Sequence, residues 1–346
     1  HQANYMIAWL RNELITKIKY MKIDSKVQLL IDRTNIKISF AQFMELVSVR
    51  FPSVGAINSF SPINEGYEDA NFILSTTKGK YVLKIFLKSR TIKNINSYAK
   101  ILTECKKIDF PTTELVEDFN NGLGFVEGNG EKTYFIVTKF FNGSNFQHKT
   151  PTPEDIKAVA SYMAKLNTLN FDVYEDYDSW GNKNYAREYK KNKIKVTSEQ
   201  NRLIEPIYNE FLKLNLSSFS KSVIHGDMQR KHVLKDSKNN YCIFDFGCMS
   251  NDLKVIDLST FLAWFCFQED TWNDKDSIYR VVLDIYNRIH HLTEREIASL
   301  PILVKSSYAA YYLKTSVLIN EGDKSEETMD WHNRAGEMLK LTQKWK

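Results

Sequence analysis

Cysteine, glycine and proline are all scarce in this chain: its 346 residues include 4 Cys, 13 Gly and 7 Pro. Cys105, Cys242, Cys248 and Cys266 form no C-x-x-C pair and have no histidine at metal-ligand spacing, which excludes a zinc site or a disulfide framework. They are expected to be buried free thiols in a reducing compartment. There is no G-x-x-x-x-G-K-S/T loop, and Gly122-Leu123-Gly124 does not lead into a helix, so neither a P-loop nor a dinucleotide fingerprint is present. No dense Lys/Arg block exists either. The 47 basic residues exceed the 42 acidic ones by five and are spread along the chain, which gives no nucleic-acid footprint. Arg11, Glu13, Lys17, Lys19 and Lys22 interrupt the apolar positions of the first thirty residues, leaving no signal-peptide core and no membrane span. The expectation is a cytoplasmic protein with neither nucleic acid nor membrane as partner.

What is present is ordinary globular composition, 43% hydrophobic and 26% charged, in a chain long enough for a sizeable core and a ligand-binding cleft. Apolar positions at helical spacing, among them Leu29, Leu30, Phe40, Phe43, Met44 and Val47, predict two helices within residues 1–50, an N-terminal helical extension. The texture then changes. Phe72 to Thr77 and Lys80 to Phe86, rich in β-branched and aromatic residues, flank Lys78-Gly79 and predict a hairpin. Gly124 to Glu127 and Thr133 to Thr138 flank Asn129-Gly130 and predict another, with a helix over 91–107 between the two. Residues 51–140 therefore read as a small antiparallel sheet carrying one helix, and residues 141–346 as a mainly helical unit: an α+β protein of two lobes. Thr152-Pro153-Glu154-Asp155 and Thr293-Glu294-Arg295-Glu296 are helix starts of the kind that satisfy orphan backbone donors. The lobes are expected to join near Lys139 to Gly143.

The chemistry is concentrated in Val223-Ile224-His225-Gly226-Asp227-Met228-Gln229-Arg230-Lys231-His232-Val233-Leu234 and Tyr241-Cys242-Ile243-Phe244-Asp245-Phe246-Gly247. Two apolar runs joined through Asp236 to Asn240 predict a hairpin that brings Asp227 and Asp245 to one site. Phosphoryl transfer needs two such carboxylates, one to orient and deprotonate an attacking hydroxyl and one to hold magnesium against the phosphates. The H-x-D-x-x-x-x-N and D-F-G pair of protein kinases does those two jobs. A D-F-G triplet alone is weak, since an isolated aspartate in a hairpin is usually a turn residue; the pairing carries the signal.

His225-Gly226-Asp227 with Asp245-Phe246-Gly247 resembles the motif pair of the aminoglycoside phosphotransferase-like kinases, which include homoserine, choline and macrolide kinases. The resemblance covers roughly residues 55–320. Asn64 to Phe72, with Gly66, stands where that family has its nucleotide-covering loop, and Tyr81-Val82-Leu83-Lys84 is similar to its phosphate-binding lysine strand. Val255 to Phe267 and Leu292 to Pro301 look most like the homoserine kinase branch. The resemblance implies a protein-kinase-like two-lobed fold, Mg2+ as cofactor and ATP or GTP as co-substrate. It further implies Asp227 as catalytic base, Asp245 as metal ligand, Lys84 on the α- and β-phosphates, and Lys139, Phe140 and Phe141 around the nucleotide base. His225 would brace the loop.

Two departures from the family pattern stand out. His232 replaces the asparagine expected four intervening residues after Asp227, and imidazole suits hard magnesium less well than a carbonyl oxygen; it either ligates metal or positions Asp227. The helix after Lys84 lacks the expected glutamate near Asn94 to Tyr98, and Glu104 lies late. The acidic group Glu269, Asp270, Asp274 and Asp276 either recognises a substrate ammonium or is a solvated, helix-capping cluster. The expected partner is a small-molecule hydroxyl acceptor: homoserine or a related amino alcohol first, an aminoglycoside or macrolide second. A catalytically silent nucleotide-binding protein of the same fold is the rival. A protein kinase is disfavoured, because Asp245 runs on to helical Asp257 to Phe267 without an activation loop.

Overall fold

The computed structural model describes residues 25–34, 36–63, 69–128, 130–343 and 345. The chain divides into two compact units, one of residues up to 106 with 112–142, the other of 107–111 with 143–346.

In the first unit, helices α1 (Ser25–Asp32) and α2 (Phe40–Arg50) precede β1 (Ile57–Ile63), β2 (Ala70–Thr76) and β3 (Gly79–Ile85); α3 (Ile92–Lys107) leads to β4 (Leu123–Gly128) and β5 (Glu131–Lys139). The five strands form one antiparallel sheet in the order β1-β2-β3-β5-β4. Side chains alternate across a pleated strand, so Phe72, Leu74, Leu83, Ile85, Phe135 and Val137 share one face. That face is covered by Phe40, Phe43, Met44 and Val47, the apolar stripe of α2, in a single buried cluster. Phe43 and Phe51 meet Phe135 with ring centroids 5.0 and 5.8 Å apart. The same alternation turns Lys84 away from this cluster, and its ammonium lies 5.1 Å over the Tyr98 ring of α3.

Both sequence-read hairpins form. The first turns one residue earlier than expected: Thr76 pairs with Gly79, so Thr77 and Lys78 make the turn and Gly79 opens β3. The Thr76 hydroxyl holds that register by accepting the Lys78 amide proton at 3.1 Å. In the second, Gly128 pairs with Glu131, and Gly130 at φ +78° supplies the left-handed conformation that an Asn-Gly turn requires; Asn129 lies outside the described residues.

The second unit runs β6 (Ser144–Asn145), α4 (Pro153–Leu166), α5 (Tyr185–Asn192), α6 (Ser198–Phe211), β7 (Lys221–Ile224), β8 (Val233–Lys235), β9 (Tyr241–Ile243), β10 (Ser250–Leu253), α7 (Lys254–Phe261), α8 (Lys275–Ile289), α9 (Glu294–Asn320) and α10 (Glu326–Thr342). Capping boxes at Thr152/Asp155 and Thr293/Glu296 start α4 and α9 as their sequences predict. The 27-residue α9 is largely buried, packed by α5, α6, α7 and α10. None of the described helices is long and apolar enough to cross a membrane.

Two expectations need correction. The predicted hairpin is confined to β8 and β9, with Val233 opposite Ile243, whereas Val223 and Ile224 lie in β7 and pair with β10 in a separate ribbon. The left-handed Gly226 (φ +82°) ends β7 there, and the polar loop that follows breaks the run in two. Of the four thiols, Cys105, Cys242 and Cys266 are buried and free, but Cys248 is only half-buried.

Asp155 does more than cap α4. Its buried carboxylate also accepts from Lys235 Nζ and Tyr241 Oη, each at 2.6 Å, and so ties the helix start to the β8–β9 hairpin. Burial pushes this carboxyl up, but the hydrogen bonds from Lys235, Tyr241 and Thr152 outweigh it and bring it down to about 2. The unfolded value is about 3.9. The stabilisation is therefore present above about pH 4 and fades as pH falls toward 2. Asp155→Asn should lower the urea midpoint clearly at about pH 6 and hardly at all near pH 2; a difference constant over that range would contradict the assignment.

Candidate active site

The site is built on two loops, residues 225–232 between β7 and β8 and residues 244–249 between β9 and β10. The first begins with a turn that only glycine fits. A Cβ on Gly226 would lie 2.4 Å from the Cys248 carbonyl oxygen, at a φ of +82°. The amides of this turn are held by Asp257 of α7, fully buried. Its Oδ2 accepts from His225 N at 3.0 Å and its Oδ1 from Gly226 N at 2.9 Å. Asn167, just after α4, donates to Asp257 Oδ2 and to the Val223 carbonyl, both at 2.9 Å. Tyr286 of α8 in turn donates to Asn167 Oδ1 at 2.7 Å.

His225, also fully buried, braces the two loops together. Its Nε2 lies 3.1 Å from the Phe244 carbonyl, which can only accept, so Nε2 carries the proton and Nδ1 is left to accept the Asp227 amide at 3.3 Å. Burial depresses the affinity of this imidazole for a second proton, against the pull of Asp257. Neutral His225 thus links the His-Gly-Asp turn to the Asp-Phe-Gly turn.

Asp227, His232 and Asp245 come together as the sequence predicts. His232 Nδ1 donates to the Asp227 main-chain oxygen at 2.8 Å and lies 3.4 Å from Asp227 Oδ2; its Nε2 lies 3.6 Å from Asp245 Oδ2. His232 is 6% exposed while the carboxylates of Asp227 and Asp245 are 18% and 33% exposed, so the imidazole is the inner wall and the two acids are the rim. Asp245 adopts a left-handed conformation, φ +69°, a strain of about 1–3 kcal/mol that needs surrounding structure to enforce it. Among the described residues no group of three or more His, Cys, Asp or Glu could hold a metal ion. Asp245 and the Nε2 of His232 face each other and could both contribute to holding a metal, His232 Nδ1 being committed to the Asp227 main-chain oxygen. Two protein ligands suit an ion such as magnesium, which keeps much of its shell for water and phosphate oxygens.

The remaining sequence-read residues lie in the first unit. Lys84 Nζ pairs with Asp69 Oδ2 at 3.2 Å, and Asp69, 4% exposed, also accepts from Arg90 Nε at 2.8 Å and the Leu87 amide at 3.0 Å. The acid expected from α3 thus has a counterpart just before β2. Lys139 Nζ pairs with Glu114 Oε2 at 2.7 Å, which raises its pKa, and the Phe140 amide donates to Lys80 O at 3.2 Å. Phe141 is half-buried at the end of this unit. Gly66 and its neighbours 64–68 lie outside the described residues.

Of the acidic group 269–276, Asp270 grips Arg230 with both oxygens, at 2.9 and 2.8 Å. Arg230 is 5% exposed and also donates to the Phe265 carbonyl at 3.1 Å, so Asp270 anchors the 225–232 loop. Asp276 pairs with Lys275. Sequence reading did not single out Asp257, Asn167, Gln229 or Tyr311. The last two contact Asp227 Oδ1, Tyr311 from α9 at 3.2 Å. Their partners lie on separate elements, and no local pattern marks such residues.

Asp257→Ala would strand the amides of His225 and Gly226 and the Asn167 side chain. It should destabilise the protein by roughly 3 kcal/mol or more in urea unfolding; a loss under about 1 kcal/mol would mean that water replaces the carboxylate.

Residues 59–286 match the sequence profile of the phosphotransferase enzyme family. The homoserine kinase of Rhodopseudomonas palustris is 23% identical over 273 residues, spanning 75% of this chain and 79% of that protein. That of Chelativorans sp. is 24% identical over 271 residues, with 77% and 82% covered. Among solved structures, amicoumacin kinase hAmiN in complex with AMP-PNP, Ca2+ and Ami aligns with a TM-score of 0.65 at 12% identity, over 91% of this chain and 96% of that one. A microcompartment-associated aminopropanol kinase aligns at 0.63 and 12%, over 88% and 97%. These likenesses establish a kinase-like fold with an antiparallel-sheet N-terminal part and a helical C-terminal part. With the family profile covering well over half of its length, the chain belongs to the phosphotransferase enzyme family and is a small-molecule kinase.

Proposed function

We propose that this kinase transfers the γ-phosphoryl group of ATP or GTP to a hydroxyl of a small amino alcohol, with homoserine the first acceptor to test. The observation that carries the reading is the pair of part-exposed carboxylates, Asp227 and Asp245, set on either side of His232. Asp227, its carboxylate part-exposed beside His232, is the general base of this reading and takes the proton of the attacking hydroxyl. Asp245 and His232 would hold the metal, and magnesium there would supply positive charge to offset that of the phosphates. Lys84, kept oriented by Asp69, receives the α- and β-phosphates. Gly66 covers the nucleotide, and the backbone at Lys139, Phe140 and Phe141 receives its base. Little covalent chemistry is asked of the protein, so most of the acceleration comes from positioning and charge stabilisation. The homoserine kinase relatives support the choice of acceptor.

The test is nucleotide turnover measured with magnesium against homoserine, other amino alcohols, choline, aminoglycosides and macrolides. Acceptor-dependent turnover with an amino alcohol supports the reading; turnover with an antibiotic alone replaces the acceptor. Nucleotide binding without transfer to any acceptor points to a silent member of the fold. Asp227→Asn should keep nucleotide affinity and lose about 10²- to 10⁴-fold in rate, and undiminished turnover would remove Asp227 from the mechanism. His232→Asn exchanges an imidazole for an amide oxygen, a harder donor. It should lower the magnesium concentration that gives half-maximal rate; an increase would show that His232 serves mainly to position Asp227.

A further inference from the structure

Asp227 does not stand alone on its loop. Gln229 Nε2 donates to Asp227 Oδ1 and also to Tyr311 Oη, the latter at 2.5 Å, while the Tyr311 hydroxyl donates to the same Oδ1 at 3.2 Å. The three groups close a triangle in which each donor proton has an acceptor. The amide must face this way, since a reversed Gln229 would set its oxygen against the carboxylate and leave the tyrosine oxygen without a donor. Burial and the nearby charge of Asp227 keep the Tyr311 phenol well above its ordinary pKa, so it remains a donor. Its ring is wedged between Trp180, Trp264 and Trp331, with centroids 5.3, 4.5 and 5.3 Å away. It has no room to swing off.

The arrangement carries a cost. Gln229 is 1% exposed, and its Oε1 is buried without a hydrogen-bond partner among the described residues. An unsatisfied buried carbonyl is destabilising, and an apolar side chain of the same shape would avoid it. A residue chosen for stability would not be a glutamine. What the amide supplies is control of one carboxylate oxygen.

Resting on the assignment of Asp227 as base, we propose that Gln229 and Tyr311 are positioning residues that load Asp227 Oδ1 from two directions and reserve Oδ2 for the acceptor hydroxyl. Oδ2 lies 3.4 Å from His232 Nδ1, whose proton is already given to the Asp227 main-chain oxygen, so Oδ2 keeps a lone pair for substrate. With Oδ1 fixed, the carboxylate cannot rotate, and the hydroxyl meets it in one orientation.

The experiment compares Tyr311→Phe and Gln229→Met, alone and on an Asp227→Asn background, in the magnesium-dependent transfer assay with the best acceptor found. Each single variant should lower kcat by about tenfold to a hundredfold, with acceptor KM and nucleotide Kd changed by less than about twofold. Gln229→Met should also melt no lower than the wild type. On the Asp227→Asn background both substitutions should become nearly silent, because residues that act through one group lose their effect when that group is gone. Losses on that background equal to those in the wild type would overturn the proposal, as would kcat losses that track a fall in melting temperature. Full turnover in Asp227→Asn itself would overturn the base assignment first and this one with it.

Discussion

The catalytic loops depend on one buried charge, the carboxylate of Asp257. A carboxylate with no exposure is tolerable only when its oxygens are filled with donors, and here the donors are two successive backbone amides and the Asn167 side chain. Those amides belong to a turn that glycine alone can make, so the charge on α7 fixes the direction in which residues 225–227 leave β7. Asn167 and Tyr286 extend the same hydrogen-bonded set to α4 and α8. The position of Asp227 is thereby set by the packing of three helices, which is a stiffer reference than the loop itself could provide.

The elements were legible where the signal is local. Runs of β-branched and aromatic residues flanking glycine-containing turns located both N-terminal hairpins, Asn-Gly located the second turn, and the cap sequences at Thr152 and Thr293 marked helix starts to the residue. The first turn was misread by one position because Lys78-Gly79 satisfies a composition rule, while the register answers to the Thr76 hydroxyl, which composition does not reveal. The catalytic hairpin was overextended for a related reason. Val223-Ile224 and Val233-Leu234 look alike as apolar runs, and only the left-handed Gly226 assigns them to different ribbons.

Residues that support the site were not legible, and the reason is separation along the chain. Asp257 acts 32 residues from His225, Asn167 acts 90 residues from Asp257, and Tyr311 acts 84 residues from Asp227. Asp257 and Tyr311 sit on helices and Asn167 just after one, so helical patterning accounts for each without pointing to its distant partner. Asp69 shows the same limit at short range. It lies in the stretch that resembles a nucleotide-covering loop, where nothing local marks a carboxylate as the partner of Lys84, although a buried acid just before β2 can reach the strand hydrogen-bonded beside it. By also taking Arg90 and the Leu87 amide, Asp69 fixes the segment that leaves β3 together with the lysine.

The strain at Asp245 follows from the same logic of supports. A left-handed aspartate is uncommon but tolerated, and it persists where its neighbours leave no alternative. Phe246, the next residue, is fully buried and packs on His225 and Phe110 with centroids 4.9 and 6.2 Å away. Removing that ring from its position to relax Asp245 would expose an aromatic side chain, worth roughly 1.5–3 kcal/mol, against about 1–3 kcal/mol of backbone strain. The two magnitudes are close, and the His225–Phe244 hydrogen bond adds to the side of the strained form. The apolar body of the Asp-Phe-Gly turn therefore holds the polar one in place, and Asp245 stays turned toward His232 because Phe246 has nowhere better to go.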